Sequence, residues 1–285
     1  AVWRARRFFC GRSSASRGTT LCRSGVVFLL ALPCTPNKPR GGYATMGFDK
    51  NITSYSDYYE DSLYKLQDGV LHTVKACGVP FYLTGETALS RGYYNHRYSD
   101  DLDFFVNRTD AFNAHADAVL SALSDSDFFW NQEIEFRKSP DFYSVILHHR
   151  DYANKLKIDF VNDIAAHFGA LTQAPLFYRT DSVRNILSNK ISAVFRFAAK
   201  DMADIREICL HEHFDWAEIF AEVRQKELGV EPTDVAQILE GTPEAQFETI
   251  KWIHKPVWER FRQDMTQIAR DMVPLSENSL SASAH

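Results

Sequence analysis

Acidic residues are missing from the first 45 positions of this 285-residue chain, which hold eight Lys/Arg; the first acid is Asp49. That absence sets the segment apart from an ordinary folded region. It fits a basic, Ser-rich transit or signal peptide, a disordered arm, or leader sequence ahead of a start at Met46. The compositional break just before Met46 favours the last reading, and residues 1–45 are left out of the fold argument. Cysteine is also scarce: five in all, with only Cys77 and Cys209 after Met46. Two unspaced cysteines make neither a disulfide framework nor a zinc site. They fit a reducing compartment, and hence a cytoplasmic location. No apolar run reaches the roughly 18 residues of a membrane-spanning helix, so no membrane partner is expected. No internal repeat is present.

What remains is ordinary globular composition, 45% hydrophobic and 24% charged, with 21 Phe, 12 Tyr and 5 Trp to build a core. Basic residues are the next shortage. With eight of the 32 Lys/Arg lying ahead of the first of 37 acids, residues 46–285 carry a formal charge of −13. That argues against a broad nucleic-acid surface, since phosphate contacts need Lys and Arg.

Hydrophobic periodicity divides the chain into an α/β half and a helical half. Residues 54–76 are predicted helical, with Leu63, Leu66, Val70 and Val74 on one face and Gly78 as the stop. Strands are predicted at 79–84 and 101–106, a short helix at 87–91, and a helix at 110–124 capped by Thr109 or Asp110. Three more strands follow at 133–138, 143–149 and 155–161, the first two joined by a turn at 139–142. Helices are predicted at 182–210, 214–227, 233–240, 244–253 and 256–272. The domain division is therefore 46–170 mixed α/β, 171–275 helical, and 276–285 a disordered tail.

The stretch 81–106, FYLTGETALSRGYYNHRYSDDLDFFV, concentrates the chemistry. Strand side chains alternate faces, so Asp101 and Asp103 point the same way with Cα atoms roughly 6.5–7 Å apart. Paired carboxylates suit a hard cation such as Mg²⁺. Asp159 lies inside the apolar string LKIDFV and needs a partner there. That partner is either a shared metal or an arginine such as Arg97. Asp100 should face the other way, into solvent. Gly85 sits between a strand and a helix start, where exposed N–H groups can cradle phosphate. Together these residues suit metal-assisted phosphoryl or nucleotidyl transfer. A bare D-x-D also suits a solvated strand mouth, or the Mn²⁺-held nucleotide-sugar of a glycosyltransferase, though such an enzyme typically needs a long nucleotide-binding region before the motif. The pairs at 148–149 and 211–213 have loosely metal-like histidine spacing and read as surface residues.

The string resembles the AbiEii/AbiGii-type nucleotidyltransferases, toxins of prokaryotic toxin–antitoxin and abortive-infection systems, similar to the DNA polymerase β-like superfamily. The resemblance runs through Leu83, Thr84, Gly85, Thr87, Ala88, Leu89, His96, Arg97, Ser99, Asp101, Leu102, Asp103 and Phe104, then LKIDF with Asp159. NKISAVFRFAAKDMADI supplies Lys190, Arg196, Lys200, Asp201 and Asp204. It implies a polymerase-β-like α/β domain with a small mixed sheet, followed by an all-helical domain. It implies Asp101, Asp103 and Asp159 as ligands of Mg²⁺ or Mn²⁺, with Asp159 also helping to deprotonate the acceptor. Thr84, Gly85 and Thr87 would contact the nucleotide's phosphates. Lys190 would neutralise an NTP's triphosphate, and Asp204, with Asp201, would orient Lys190 or a substrate group.

The implied acceptor is an RNA 3′ end, most readily tRNA, and the implied partner is a cognate antitoxin. A protein hydroxyl is the alternative acceptor. Arg184, Lys190, Arg196, Lys200 and Arg206 would form a local basic stripe. Phe195 and Phe197 read as packing residues rather than base platforms. The sequence departs from the family at Glu86, where a second Gly or Ser is usual. A carboxylate beside a phosphate cradle keeps open a silent nucleotide- or RNA-binding relative that acts through partner contact.

Overall fold

A computed structural model describes residues 55–281. The leader readings for 1–45, the start at Met46 and the last four residues lie outside that range. Helix begins at Tyr55–Tyr58, passes through a π turn at Tyr59–Leu63 and runs on as Tyr64–Ala76. It buries Leu63, Leu66, Val70 and Val74, the face its periodicity predicts.

Six strands form one mixed sheet: β1 (Tyr82–Thr84), β2 (Leu102–Asn107), β3 (Phe128–Phe129), β4 (Phe136–Ser139), β5 (Phe142–His149) and β6 (Tyr152–Asp163). The order is β1-β2-β6-β5-β3, with β4 also on β5. β2 and β6 are parallel, and the other pairs are antiparallel. One face carries Leu83, Leu102, Phe104, Tyr143, Val145, Ile158 and Phe160, all fully buried. Phe104 stacks on Phe160, and Phe112 from the Phe112–Ser124 helix meets Phe81 and Tyr143 edge-on. Each such side chain contributes about 1.5–3 kcal/mol by burial.

The helical half comprises Val183–Ser192, a 3₁₀ turn Val194–Arg196, Ala199–His211, Trp216–Lys226, Pro232–Glu240, Glu244–Phe247 and Trp258–Met272. Ser182 caps the first, its Oγ accepting from Asn185 N at 3.0 Å, and Asp215 caps Trp216–Lys226. Buried side chains from both halves belong to one continuous core, from Tyr59 to Leu280.

Several boundaries differ from expectation. β1 starts at Tyr82 because Pro80 has no N–H to donate. The stretch 131–135 turns instead of extending, since the Asn131 side chain accepts from the N–H groups of Glu133 and Ile134. β3 is a strand the sequence reading lacked. Helix in 244–253 stops at Phe247, because the chain at 251–253 is drawn out to pair with 96–98. There Tyr98 N donates to Lys251 O at 2.8 Å and Ile253 N to His96 O at 3.1 Å. Residues 276–281 are not a loose tail: Leu280 and Ser281 are buried, and the Asn278 amide donates to Cys209 O and Glu212 O.

Candidate active site

The strand register builds the site. Thr84 on β1 pairs with Asp103 on β2, Asp103 with Asp159 on β6, and Asp159 with Ser144 on β5. Residues paired across strands share a face, so a polar row crosses four strands opposite the apolar face. Two residues along, Asp101 and Lys157 extend this face. The sheet brings Asp101, Asp103 and Asp159 together from positions 58 apart in sequence.

Asp159 is fully buried. It accepts from Ser144 Oγ at 2.6 Å and from Lys157 Nζ at 2.6 Å, so its partner is Lys157, not Arg97. Lys157 Nζ also lies 3.8 Å from Asp101. Burial first, then repulsion from Asp103 and Glu86, pushes the Asp101 carboxyl up to about 6 against the pull of Lys157 and Lys200. Lys157 and Lys200 are the cations beside these carboxylates. Three oxygen donors on one face are the set a hard divalent cation takes, and the Lys157 ammonium stands in for part of that charge. Among the described residues, no three acidic, histidine or cysteine side chains already converge into a metal-sized cluster.

Gly85 is fixed by its surroundings. Its φ is +69°, and a Cβ there would lie 2.6 Å from Asp103 Oδ2. The flanking hydroxyls are engaged: Thr84 Oγ1 donates to Asp181 at 2.5 Å, and Thr87 Oγ1 bonds Ser99 Oγ and the Asp101 carbonyl. Asp181 also holds His167 and Asn185, and its backbone extends the sheet beyond β1 through Leu83.

Beside the carboxylates lies a buried ionic cluster. Arg97 grips Asp204 with two bonds of 2.7 Å, and His96 Nε2 lies 2.8 Å from Asp204 Oδ1. Lys190 Nζ lies 2.5 Å from Asp204 and 2.7 Å from Asp201, which also receives Arg196. Both aspartates thus bond Lys190, which is buried. Burial opposes the Asp204 charge, but Arg97 and Lys190 still hold its carboxyl well below the usual range. Glu86 points into this cluster.

The basic stripe divides. Arg184 is taken by Glu222 and Glu218, and Arg206 by Asp264. Arg196 and Lys200, 34% and 46% exposed, remain beside the site. Phe195 and Phe197 are not packing residues: both are exposed, and Phe197 adopts a left-handed φ of +53°. Asp100 is bonded to Lys251 and Tyr59 rather than simply solvated. His148 pairs with Glu135, and His211 with Glu207.

The chain matches the family model "Nucleotidyl transferase AbiEii toxin, Type IV TA system" over residues 74–282. It belongs to that family. Membership makes nucleotidyl transfer its class of activity and decides against the nucleotide-sugar alternative. Seven solved chains match significantly. A crystal structure of a candidate nucleotidyltransferase from H. pylori is 19% identical, with a TM-score of 0.53, over 79% of this chain and 99% of that one. JHP933 from Helicobacter pylori is 20% identical, with a TM-score of 0.49, over 78% and 94%. The first likeness supports the nucleotidyltransferase fold. A search of curated proteins finds no significant match. Among the described residues no helix is long and apolar enough to cross a membrane.

Proposed function

We propose that this AbiEii-family chain transfers NMP from an NTP to the 3′ end of an RNA, most readily tRNA, as the toxin of a toxin–antitoxin pair. The observation that carries this reading is the Asp103–Asp159 pairing on the polar face of the sheet, with Asp101 beside it and a wall of cations next to it. Asp101, Asp103 and Asp159 would hold Mg²⁺ or Mn²⁺. When bound, such ions supply positive charge to the phosphates and to the attacking oxygen. Gly85, with Thr84 and Thr87 on either side of the turn, shapes the phosphate side. Lys190, oriented by Asp201 and Asp204, neutralises the triphosphate. The acceptor hydroxyl gives its proton to Asp159. Its oxygen then bonds to the α-phosphorus while the bond to the β-phosphate oxygen breaks, and pyrophosphate leaves.

The exposed Phe195 and Phe197, flanking Arg196, suit an unpaired base or RNA end. A second reading is favoured by Glu86, whose carboxylate lies among the cations a triphosphate needs: a relative that binds nucleotide or RNA without turnover. The overall acidity leaves a protein hydroxyl as the alternative acceptor. The deciding assay incubates the full chain with each radiolabelled NTP, Mg²⁺ or Mn²⁺, and total tRNA, beside Asp103→Ala. Label on RNA that vanishes in the variant supports the proposal. Label on protein moves the acceptor to a polypeptide, and nucleotide binding without label anywhere favours the silent relative.

A further inference from the structure

Glu86 is enclosed by positive charge. Its carboxylate lies 2.7 Å from Lys200 Nζ, 3.2 Å from Arg97 Nη2, 3.7 Å from Lys190 Nζ and 3.8 Å from Arg196 Nη2. The other two acids of the cluster, Asp201 and Asp204, are fully buried and hold their cations in place from beneath. Glu86 is different. It is 16% exposed, and the cations on its solvent side, Arg196 and Lys200, are about a third and a half exposed. It is thus the acid at the rim, able to rotate outward while Asp201 and Asp204 stay. Four cations, Arg97, Lys190, Arg196 and Lys200, face three acids, Glu86, Asp201 and Asp204, so the cluster keeps an excess of positive charge that grows when Glu86 turns away and suits a group with more anionic oxygens and more charge. The cluster also adjoins the carboxylate row, since Glu86 lies directly after Gly85, whose missing Cβ leaves room for Asp103.

We propose that Glu86 is a tethered anion occupying the phosphate pocket of the resting chain, and that an incoming polyphosphate must displace it. This rests on reading the pocket as a triphosphate site. Glu86 then sets specificity: weakly charged ligands fail to displace it, and polyanions succeed at a cost in affinity. The carboxylate acts as an intramolecular competitor, present at high effective concentration because it is attached.

The test is calorimetric titration of the full chain with inorganic tripolyphosphate, without divalent metal. Glu86→Gln keeps the shape and removes the charge. Its tripolyphosphate affinity is expected to rise at least tenfold, with a smaller gain for orthophosphate. Glu86→Asp keeps the charge and should stay within about threefold of wild type. An E86Q affinity equal to or weaker than wild type overturns the proposal, because a residue that merely holds cations in place weakens the pocket when lost. A gain in E86D matching that in E86Q overturns it too. If E86Q is unstable, melting decides: a larger rise in Tm with tripolyphosphate than wild type shows is supportive, and an equal or smaller rise is not. Tripolyphosphate carries no nucleoside to transfer, so the two hypotheses fail separately. Tighter tripolyphosphate binding in a chain that labels nothing sinks the transferase reading alone. Labelled RNA with unchanged tripolyphosphate binding sinks the tethered-anion reading alone.

Discussion

Gly85 meets two independent demands, a left-handed backbone and an Asp103 carboxylate where a Cβ would be. Gly85→Ala should cost about 1–2 kcal/mol from the backbone alone and push Asp103 out of the carboxylate row. A lowered urea midpoint together with lost labelling is expected; full labelling in the variant would show that Asp103 need not stay where it is. Arg97 is the other residue whose loss should be severe. It lies buried between Asp204 and Glu86, so Arg97→Met removes the two-bond counter-charge of buried Asp204 and one of the cations around Glu86, at about 3–5 kcal/mol. Urea unfolding measures this, and a loss under about 1 kcal/mol would mean that Lys190 alone balances the pair. The three aspartates were legible because strand alternation and the family motif reveal them locally. Lys157 could have been found the same way, since it lies two residues before Asp159 on one strand. The partners of Glu86 could not. They come from positions 97, 190, 196 and 200, and only the tertiary fold brings them together.

At the scale of elements, hydrophobic pattern located most helices and strands, but it ran 182–210 together where the chain breaks between Ser192 and Ala199 with Phe197 left-handed, and other errors fell where side chains or distant backbone captured the main chain. Asn131 bends 131–135, and the 96–98 segment claims 251–253. Polar, Ser-rich composition made 276–281 look loose. Backbone bonds to Phe214 and Trp216 and the Ser279–Asp271 contacts hold it, and the Asn278 amide adds bonds to Cys209 O and Glu212 O at the C-terminus of the Ala199–His211 helix, the helix that carries Asp201 and Asp204. Carbonyls at a helix end need such partners. Asn278→Ala should therefore cost about 1–3 kcal/mol, read as a lower denaturant midpoint. Hydrogen exchange should quicken first at 207–212. Unchanged exchange there would mean that the buried Leu280 and the segment's bonds to Phe214, Trp216 and Asp271 hold it without the amide.

At the scale of the whole molecule, the ionic cluster ties the α/β half to the helical half. Glu86 and Arg97 come from one, and Lys190, Arg196, Lys200, Asp201 and Asp204 from the other. This predicts how stability follows pH. Burial alone would raise the Glu86 and Asp204 carboxyls, but Lys190, Arg97 and, at Glu86, Lys200 hold both below their ordinary values of 4.5 and 3.8. A depressed group contributes stability above its unfolded value and loses it as pH falls towards its folded one. Asp101 works in the opposite sense. With its carboxyl at about 6 in the fold and 3.8 when free, it adds stability as pH falls through that interval. The melting temperature should therefore rise slightly from about pH 6 to about pH 4.5 and then drop steeply, as the unfolded chain takes up protons that the cluster excludes. Glu86→Gln removes one of the groups that must be protonated, so its acid limb should be shallower than that of the wild type. Melting curves at fixed ionic strength across this range decide the matter. Parallel acid limbs would mean that the two halves are held together by their shared apolar core, and that the charges at Glu86 serve the ligand rather than the fold.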